Sequence, residues 1–196
     1  MKKLIILLSI FLLTGCTDVM NTPSRKVEEF LGKYQTMDTS IIKELDDSIE
    51  KLDASDSYKM EYKNLLKKQY QNLAYSIKDE NIDGDKASVE VEIEVFDYYN
   101  TLEKVDEDIK KYPDDFKEEK DKSRKEKIEE YKIKQLKATT SKTKYTIVFT
   151  LTKKDNKWAL DKVSDEDLKK IHGLTEWFKS FFLETIYWKY RYNLID

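Results

Sequence analysis

Residues 83–95 read Asp-Gly-Asp-Lys-Ala-Ser-Val-Glu-Val-Glu-Ile-Glu-Val, and the rest of the predicted fold is built outward from them. After the first four residues, every second side chain is apolar and those between are polar. This alternation predicts a β-strand with one face against a core and the other in water. The leading Asp83-Gly84 is a strong hairpin signal. Tyr75 and Ile77 alternate with polar residues before it, which predicts the partner strand.

Glu90, Glu92 and Glu94 line up on the wet face of this predicted strand. A row of carboxylates is a candidate metal site, but successive residues on one strand face lie about 7 Å apart. That spacing is too wide for the side chains to share one ion easily. The row therefore predicts a solvated face, or pairing with lysines on a neighbouring strand, and no metal ligands.

Residues 143–163 predict a second hairpin, because apolar and polar residues alternate again. Residues 153–157, Lys-Lys-Asp-Asn-Lys, form the predicted turn, and Trp158 begins the return strand. Ser164 opens a Ser-x-x-Asp start signal for a short helix. Gly173 is well placed to end that helix.

Three helices are predicted before the first strand. Thr22 suits the N-cap of the first helix and Pro23 its first helical position, while Gly32 weakens it. The apolar stripes of the three helices are Val27, Phe30, Leu31 and Tyr34, then Ile41, Ile42, Leu45, Ile49 and Leu52, then Tyr58, Tyr62, Leu65, Leu66 and Leu73. We expect these stripes to pack on the domain core, and partner binding is the alternative for any one of them.

Residues 100–137 lie between the two hairpins, and 24 of these 38 residues are charged, twelve of each sign. Equal numbers of opposite charges predict exposed helices with many ion pairs. We predict a helical insertion with a bend near Pro113, where the first helix ends. A charged loop without helix is the alternative. The apolar stripes of the two predicted helices are Leu102, Val105, Ile109 and Tyr112, then Ile128, Tyr131 and Leu136.

Residues 175–196 form an aromatic tail. Wound as a helix, the tail gathers its apolar residues on one broad arc, which does not stay in water. The arc folds back on the domain, meets a protein partner, or lies in the membrane interface, where Trp and Tyr are stable. The small number of basic residues disfavours the interface. The residues that we predict for partner contact are Trp177, Phe181 and Trp188.

The N-terminus has the pattern of a secretory signal. Lys2 and Lys3 precede an apolar run over residues 4–13, and residues 13–16 read Leu-Thr-Gly-Cys. A charged start, a short apolar run and small residues at a cut site are typical of export signals. The run covers about ten residues, whereas a membrane-spanning helix needs about 20.

This ending resembles the lipobox of bacterial lipoproteins, which has the form Leu-x-Gly-Cys. The resemblance implies that residues 1–15 are a signal peptide, that Cys16 receives lipid on its sulfur, and that residues 16–21 are a tether. It also implies a lipid-anchored location at the extracytoplasmic face of the cell membrane. An ordinary signal peptide with an incidental cysteine is the alternative.

Composition limits the mature domain further. Cys16 is the single cysteine, so an internal disulfide and a cysteine metal cluster are excluded. Removal of residues 1–15 leaves 181 residues, which suits one domain. The same cut removes Lys2 and Lys3, so the formal charge falls from −3 to −5. That charge gives no general attraction to nucleic acid or to anionic lipid.

Residues 23–34, 83–91 and 150–158 carry a second resemblance. With the order of helices, hairpin, insertion and hairpin, they make the chain similar to uncharacterised lipoproteins of low-GC Gram-positive bacteria with a nuclear-transport-factor-two-like (cystatin-like) domain. The resemblance implies an α+β domain over residues 22–174, with residues 100–137 inserted. Its curved antiparallel sheet would wrap around helices as a cone with an optional pocket. It implies no activity, because this fold hosts enzymes, binders and scaffolds.

The sequence offers little catalytic chemistry. His172 is the single histidine, which excludes a multi-histidine metal site, and we expect it at the surface or in a cap. A Gly-rich phosphate loop and a G-x-S-x-G elbow are both absent from the sequence. We therefore predict a non-enzymatic interaction or binding module without metal or cofactor. The alternative is a small-ligand binder, and less readily an enzyme, with a pocket inside the cone.

Overall fold

A computed structural model describes residues 21–174 of the chain. These residues form helices packed on a curved, four-stranded antiparallel sheet, which confirms the predicted α+β class. In chain order the elements are α1 (Pro23–Gln35), α2 (Thr39–Glu50), α3 (Asp56–Gln71), β1 (Ala74–Asp83), β2 (Lys86–Phe96), α4 (Tyr98–Lys111), a 3-10 helix (Pro113–Phe116), α5 (Arg124–Ala138), β3 (Lys142–Lys154), β4 (Lys157–Leu160) and α6 (Asp165–His172).

The sheet has the order β1-β2-β3-β4, so that β2 is a central strand between β1 and the longer β3. The inward side chains of β2 include Val89, Val91 and Ile93, and all three are completely buried. Val89 stands opposite Phe149 of β3, which is also buried. The alternation predicted for this stretch is therefore confirmed, with the apolar face against the helices.

The first hairpin forms at Asp83-Gly84, as predicted. Asp83 pairs with Lys86, so that the loop residues are Gly84-Asp85. Gly84 has a φ of +59°, a left-handed conformation that a residue without Cβ adopts readily. The glycine therefore takes the first loop position, and Asp83 remains in the strand.

The second hairpin turn is Asp155-Asn156, within the predicted stretch 153–157. Both residues have positive φ, 49° and 60°. Left-handed conformations at both loop positions match a type I′ turn, whose twist suits antiparallel strands. The return strand β4 pairs only with residues 151–154 of β3.

Two of the three glutamates on the outer face of the sheet, Glu92 and Glu94, are paired with lysines, which is one of the two predicted arrangements. Lys144 Nζ lies 3.0 Å from a carboxylate oxygen of Glu92, and Lys142 Nζ lies 3.0 Å from Glu94. Lys78 of β1 also reaches Glu92, at 3.3 Å. Glu92 and Glu94 therefore have cationic partners on the neighbouring strands.

The three N-terminal helices begin where side chains can cap them. Thr22 Oγ1 accepts a hydrogen bond from the Arg25 amide at 3.2 Å, and Pro23 occupies the first helical turn, as predicted. The helices cover the inner face of the sheet, and Val27 and Leu31 of α1 are completely buried there. The predicted apolar stripes therefore contribute to the main hydrophobic core, except Ile42, which is half-buried outside it.

The helical insertion is present as α4, the 3-10 helix and α5. Leu102 and Leu136, near the sheet, belong to the main core. Farther out, a second and smaller hydrophobic cluster holds the helices together. It consists of Val105, Ile109, Phe116 and Ile128, with Tyr131 packed against it.

One residue of the insertion's predicted stripes, Tyr112, belongs to neither hydrophobic cluster. Tyr112 is 46% exposed, because it is the residue at which α4 ends and its backbone leaves the helical conformation. Phe116 of the 3-10 helix is buried in the cluster instead. Because the chain turns at Pro113, Phe116 and not Tyr112 supplies the aromatic side chain of the cluster.

Candidate functional site

The residues predicted to contact the membrane or a partner, Cys16, Trp177, Phe181 and Trp188, lie outside the described residues. The described part of the chain shows instead where the segments that carry them are attached. One attachment is at Asn21, the first described residue, and the other is at Leu174, the last.

Asn21 is fixed to the second hairpin by its side chain. Its Nδ2 donates to the carbonyl of Asn156 at 2.7 Å, and its Oδ1 accepts from the Trp158 amide at 3.0 Å. Because this side chain both donates to and accepts from the backbone at β4, it hydrogen-bonds there as the backbone of a neighbouring strand would. The segment that contains Cys16 therefore leads directly to the turn end of the sheet.

The start of α1 is bonded to the same end of the sheet. The Ser24 amide donates to a carboxylate oxygen of Glu80 at 2.8 Å, and Ser24 Oγ contacts the same oxygen. Glu80 belongs to β1, and a carboxylate at a helix N-terminus is favourable because it meets unpaired N–H groups and the positive end of the helix dipole. Sequence analysis missed both Asn21 and Glu80, because each acts across the fold.

The other attachment is organised by Gln69, a completely buried residue of α3. Its Nε2 donates to the carbonyls of Phe96 and His172, at 3.1 and 3.2 Å. Its Oε1 accepts from the Phe96 amide at 2.9 Å. One side chain thus joins α3, the end of β2 and the end of α6. The sequence did contain a signal for this role. Gln69 lies three residues after Leu66 and four after Leu65, so it interrupts their apolar stripe.

Gly173 ends α6, as predicted, and holds the root of the tail in place. Its φ is +71°, and its carbonyl accepts a hydrogen bond from the Tyr99 amide at 3.0 Å. A Cβ here would overlap the Gln69 side chain and lie 2.5 Å from the Phe96 carbonyl oxygen. Leu174 is again buried, so the tail leaves the body from a closely packed position.

His172 does not have the predicted surface or capping role. Its Nδ1 lies 2.9 Å from Tyr70 Oη, and its ring packs against the rings of Tyr70 and Tyr34. Burial lowers the pKa of His172 to about 4, and burial also raises the pKa of Tyr70. Tyr70 and His172 are therefore neutral at pH 7, and the half-buried His172 ring packs with Tyr70 and Tyr34 at the edge of the core, beside Gly173.

The two attachments lie at opposite ends of the sheet. Lys86 opens β2 beside the turn end, and Phe96, which bonds to Gln69, closes it. Ten strand steps at about 3.4 Å place these ends about 34 Å apart. The two attachment points, Asn21 and Gly173, therefore lie at opposite ends of the sheet.

The inner face of the sheet is filled by side chains, and a cleft lies elsewhere. The cleft is in the helical insertion and has a volume of about 390 Å³. Tyr131 Oη donates to Asp108 there at 2.7 Å, and Lys127 pairs with Glu119 on its rim. Buried side chains thus fill the inner face, where the alternative function placed an optional pocket. The cleft is an open depression formed by the end of α4, the 3-10 helix and α5.

Residues 21–174 contain neither a candidate metal cluster nor a candidate membrane-spanning helix. Within that range, His, Asp and Glu side chains form no group of three or more that could hold a metal ion. None of the helices in the range has both the length and the apolar character needed to cross a bilayer.

Comparisons with known proteins found little. The sequence matches no family model, and no curated protein matches it. Among solved structures, the chain is similar to a predicted lipoprotein, ycdA, of Bacillus subtilis subsp. subtilis str. 168. The identity is 20% and the TM-score 0.38, over 61% of this chain and 37% of that one. The chain thus spans about a third of that protein, and a likeness at this level supports no statement about function.

Proposed function

We propose that this protein is a lipoprotein anchored at the extracytoplasmic face of the cell membrane by lipid on Cys16, with a folded body that acts as a non-enzymatic interaction module. The observation that carries the proposal is the N-terminal pattern, in which residues 13–16 end a short apolar run behind Lys2 and Lys3. The described structure supports it, because the chain is fixed to the body at Asn21, only five residues after Cys16.

The tail is the surface that we propose for a protein partner. Its root at Gly173 is about 34 Å, along the sheet, from the end where Asn21 is attached. A body anchored through Cys16 therefore directs the tail root away from the bilayer. This geometry favours a partner protein over the membrane interface as the target of Trp177, Phe181 and Trp188.

The anchor is tested by Cys16→Ala in the producing cells. We expect an uncleaved precursor without lipid mass, which intact-mass spectrometry reports, and loss of the detergent-extracted mature form. Ser9→Ala is the matched control, since it changes the apolar run and leaves the cysteine intact. An unchanged mass in the Cys16→Ala protein would refute the anchor.

The partner surface is tested by in-cell cross-linking and mass spectrometry of the full-length protein. Trp177→Ala, Phe181→Ala and Trp188→Ala together remove the proposed contact, and we expect one enriched partner to disappear. The control variant changes Glu176, Ser180 and Glu184, on the opposite side of the same predicted helix, to Ala and retains the partner. A partner that stays with the first variant and disappears with the second refutes these contacts.

A second candidate function is small-ligand binding in the insertion cleft, which has the volume of a ligand site. Native mass spectrometry of the mature protein detects a co-purified molecule. We expect Tyr131→Ala to release it, because Tyr131 lines the cleft, whereas Met60→Ala, at an exposed position of α3, retains it. An unliganded mass for the wild-type protein from native membranes counts against this function.

A further inference from the structure

The two hairpin turns lie together at the end of the sheet to which Asn21 is attached. The Lys153 amide donates to the Asp85 carbonyl at 2.8 Å, which joins the second hairpin to the first. Around the turns lie four lysines and an exposed isoleucine. This hairpin-tip surface consists of Lys86, Lys153, Lys154, Lys157 and Ile82.

The lysines of this surface differ from the other lysines of the sheet. Lys78, Lys142 and Lys144 are each paired with a glutamate. In the described part of the chain, by contrast, none of the four hairpin-tip lysines forms a salt bridge. Lys154 even stands directly opposite Lys157 across the strand pair, an unfavourable position for two like charges. These ammonium groups are available to an external anion.

Ile82 adds an exposed apolar side chain at the same end of the sheet, on the face opposite to that of Lys154 and Lys157. It pairs with Ala87 in the register, close to the first turn, and is 51% exposed. Lys153 lies nearby with its Nζ 5.6 Å from the centre of the Trp158 ring. Lysines combined with an exposed apolar side chain are typical of surfaces that meet the headgroup region of a bilayer.

The length of the tether brings this surface to the membrane. The five residues that separate Cys16 from Asn21 extend over at most about 18 Å. Because Asn21 is bonded to Asn156 and Trp158, the second turn remains within that reach of the lipid anchor. Tethering supplies a high effective concentration, so that even a weak contact is populated.

We propose that the hairpin-tip surface rests on the bilayer, with its lysines on the phosphates of anionic lipids. This inference rests on the lipid anchor proposed above. Asp83, Asp85 and Asp155 lie among the lysines and reduce the attraction, and the mature net charge of −5 gives none in general. The anchor therefore supplies the membrane affinity, and the hairpin-tip surface sets the orientation of the body.

The test uses lipidated full-length protein, whose lipid mass is confirmed first, so that failure of the anchor is recognised separately. A photo-crosslinking amino acid is placed at Ala159, near the second turn, or at Ser141, at the opposite end of the sheet. Both positions are exposed, small and uncharged. The proteins are inserted into phosphatidylcholine vesicles with or without phosphatidylglycerol, and lipid adducts are counted by mass spectrometry.

We expect lipid adducts from Ala159 and at least ten-fold fewer from Ser141, with a higher Ala159 yield when phosphatidylglycerol is present. Equal yields from the two positions would overturn the orientation. An Ala159 yield that is independent of phosphatidylglycerol would overturn the contact between lysines and headgroups.

A charge-matched pair of variants sharpens the result. Lys154→Gln with Lys157→Gln removes two charges from the hairpin-tip surface, and we expect the gain from phosphatidylglycerol to fall several-fold, since each basic residue near an anionic surface contributes about five-fold. Lys142→Gln with Lys144→Gln removes the same charge at the opposite end and leaves the gain unchanged. Equal losses in both variants would refute a local contact.

Discussion

The main core and the insertion cluster are built from similar side chains but differ in the number of helices and strands that contribute to them. The main core joins residues from the four strands and from every α-helix of the described chain, and Leu31 and Val91 at its centre are completely buried. The insertion cluster has four buried members, and Ile109 and Phe116 are two of them. A large core is supported from all sides, whereas a small one opens when a single member is lost.

The two regions also depend on each other unequally. The insertion is attached to the body through Leu102 and Leu136 and through polar contacts, such as the Ser55 hydroxyl that donates to Glu129 at 2.6 Å. Its remaining ion pairs are largely exposed, and exposed pairs add little stability. We infer that the insertion can open while the body stays folded, but that it does not survive unfolding of the body.

The largest expected effect comes from Leu31→Ala, in the middle of the main core. Removal of a fully buried leucine side chain lowers the free energy of unfolding by about 2–5 kcal/mol. Urea denaturation of the mature protein should show a lower midpoint, and hydrogen exchange should become faster throughout residues 21–174. Fast exchange confined to α1 would contradict a single cooperative body.

The same kind of truncation at Ile109→Ala tests the insertion cluster. Ile109 is 3% exposed, so the local loss is again about 2–5 kcal/mol, but it is confined to α4, the 3-10 helix and α5. Hydrogen exchange should become faster over residues 98–138 and stay unchanged in β2. A drop of the global urea midpoint as large as that of Leu31→Ala would show that both clusters form one unit.

Acidification acts on the body through His172. Its pKa is about 4 in the folded protein, below the ordinary value of 6.5, so the unfolded chain binds its proton first as the pH falls. The stability contribution is complete above about pH 6.5 and is lost towards pH 4. Between pH 7 and 5.5 we expect a loss of about 1 kcal/mol, measured by urea denaturation.

His172→Gln is the control for this pH effect, because glutamine can still bond to Tyr70 and does not titrate. The variant should have the same stability at pH 7 and pH 5.5, whatever its absolute value. An unchanged pH dependence would assign the effect to other groups. Carboxylates such as Glu92, whose pKa is lowered by its hydrogen bonds with Lys144 and Lys78, titrate at lower pH.

The smallest effect is expected from the outer ion pairs of both regions. Glu92→Gln removes the partner of Lys144 on the sheet, and Glu119→Gln removes the partner of Lys127 in the insertion. All of these carboxylates are solvated, so the urea midpoint should shift little in either variant and less at high salt. A large shift in the Glu119→Gln protein alone would mean that ion pairs, and not the apolar cluster, hold the insertion together.

Sequence reasoning was most successful where a structure depends on near neighbours. The alternation in β2, the cap at Thr22 and the stop at Gly173 all occur as predicted, and pairing of the strand glutamates with lysines was one of the two predicted arrangements. Each of these features is determined by the geometry of a few consecutive residues or of one strand pair. The capping box of Ser123 and Glu126 belongs to the same class and was readable but missed.

Predictions were wrong or absent where distant elements meet. The exchange of Tyr112 for Phe116 depends on how the chain turns at Pro113, and the position of His172 depends on helices far from it in the chain. Neither periodicity nor composition contains that information. Likewise, the amide side chain of Asn21 has no local signature, because its partners lie 135 and 137 residues away.

The sequence by itself determined the strands, the helices and the N-terminal resemblance to a lipoprotein signal, because these depend on short-range order along the chain. Only the tertiary structure decided that Asn21 and Gly173 lie at opposite ends of the sheet. That arrangement arises because Asn21 pairs with the turn end of β4, while Gln69 bonds Phe96 and His172 at the other end. Contacts between residues so far apart in the chain are formed by packing, and they put Asn21 and Gly173, the points at which the described chain begins and ends, at opposite ends of the sheet.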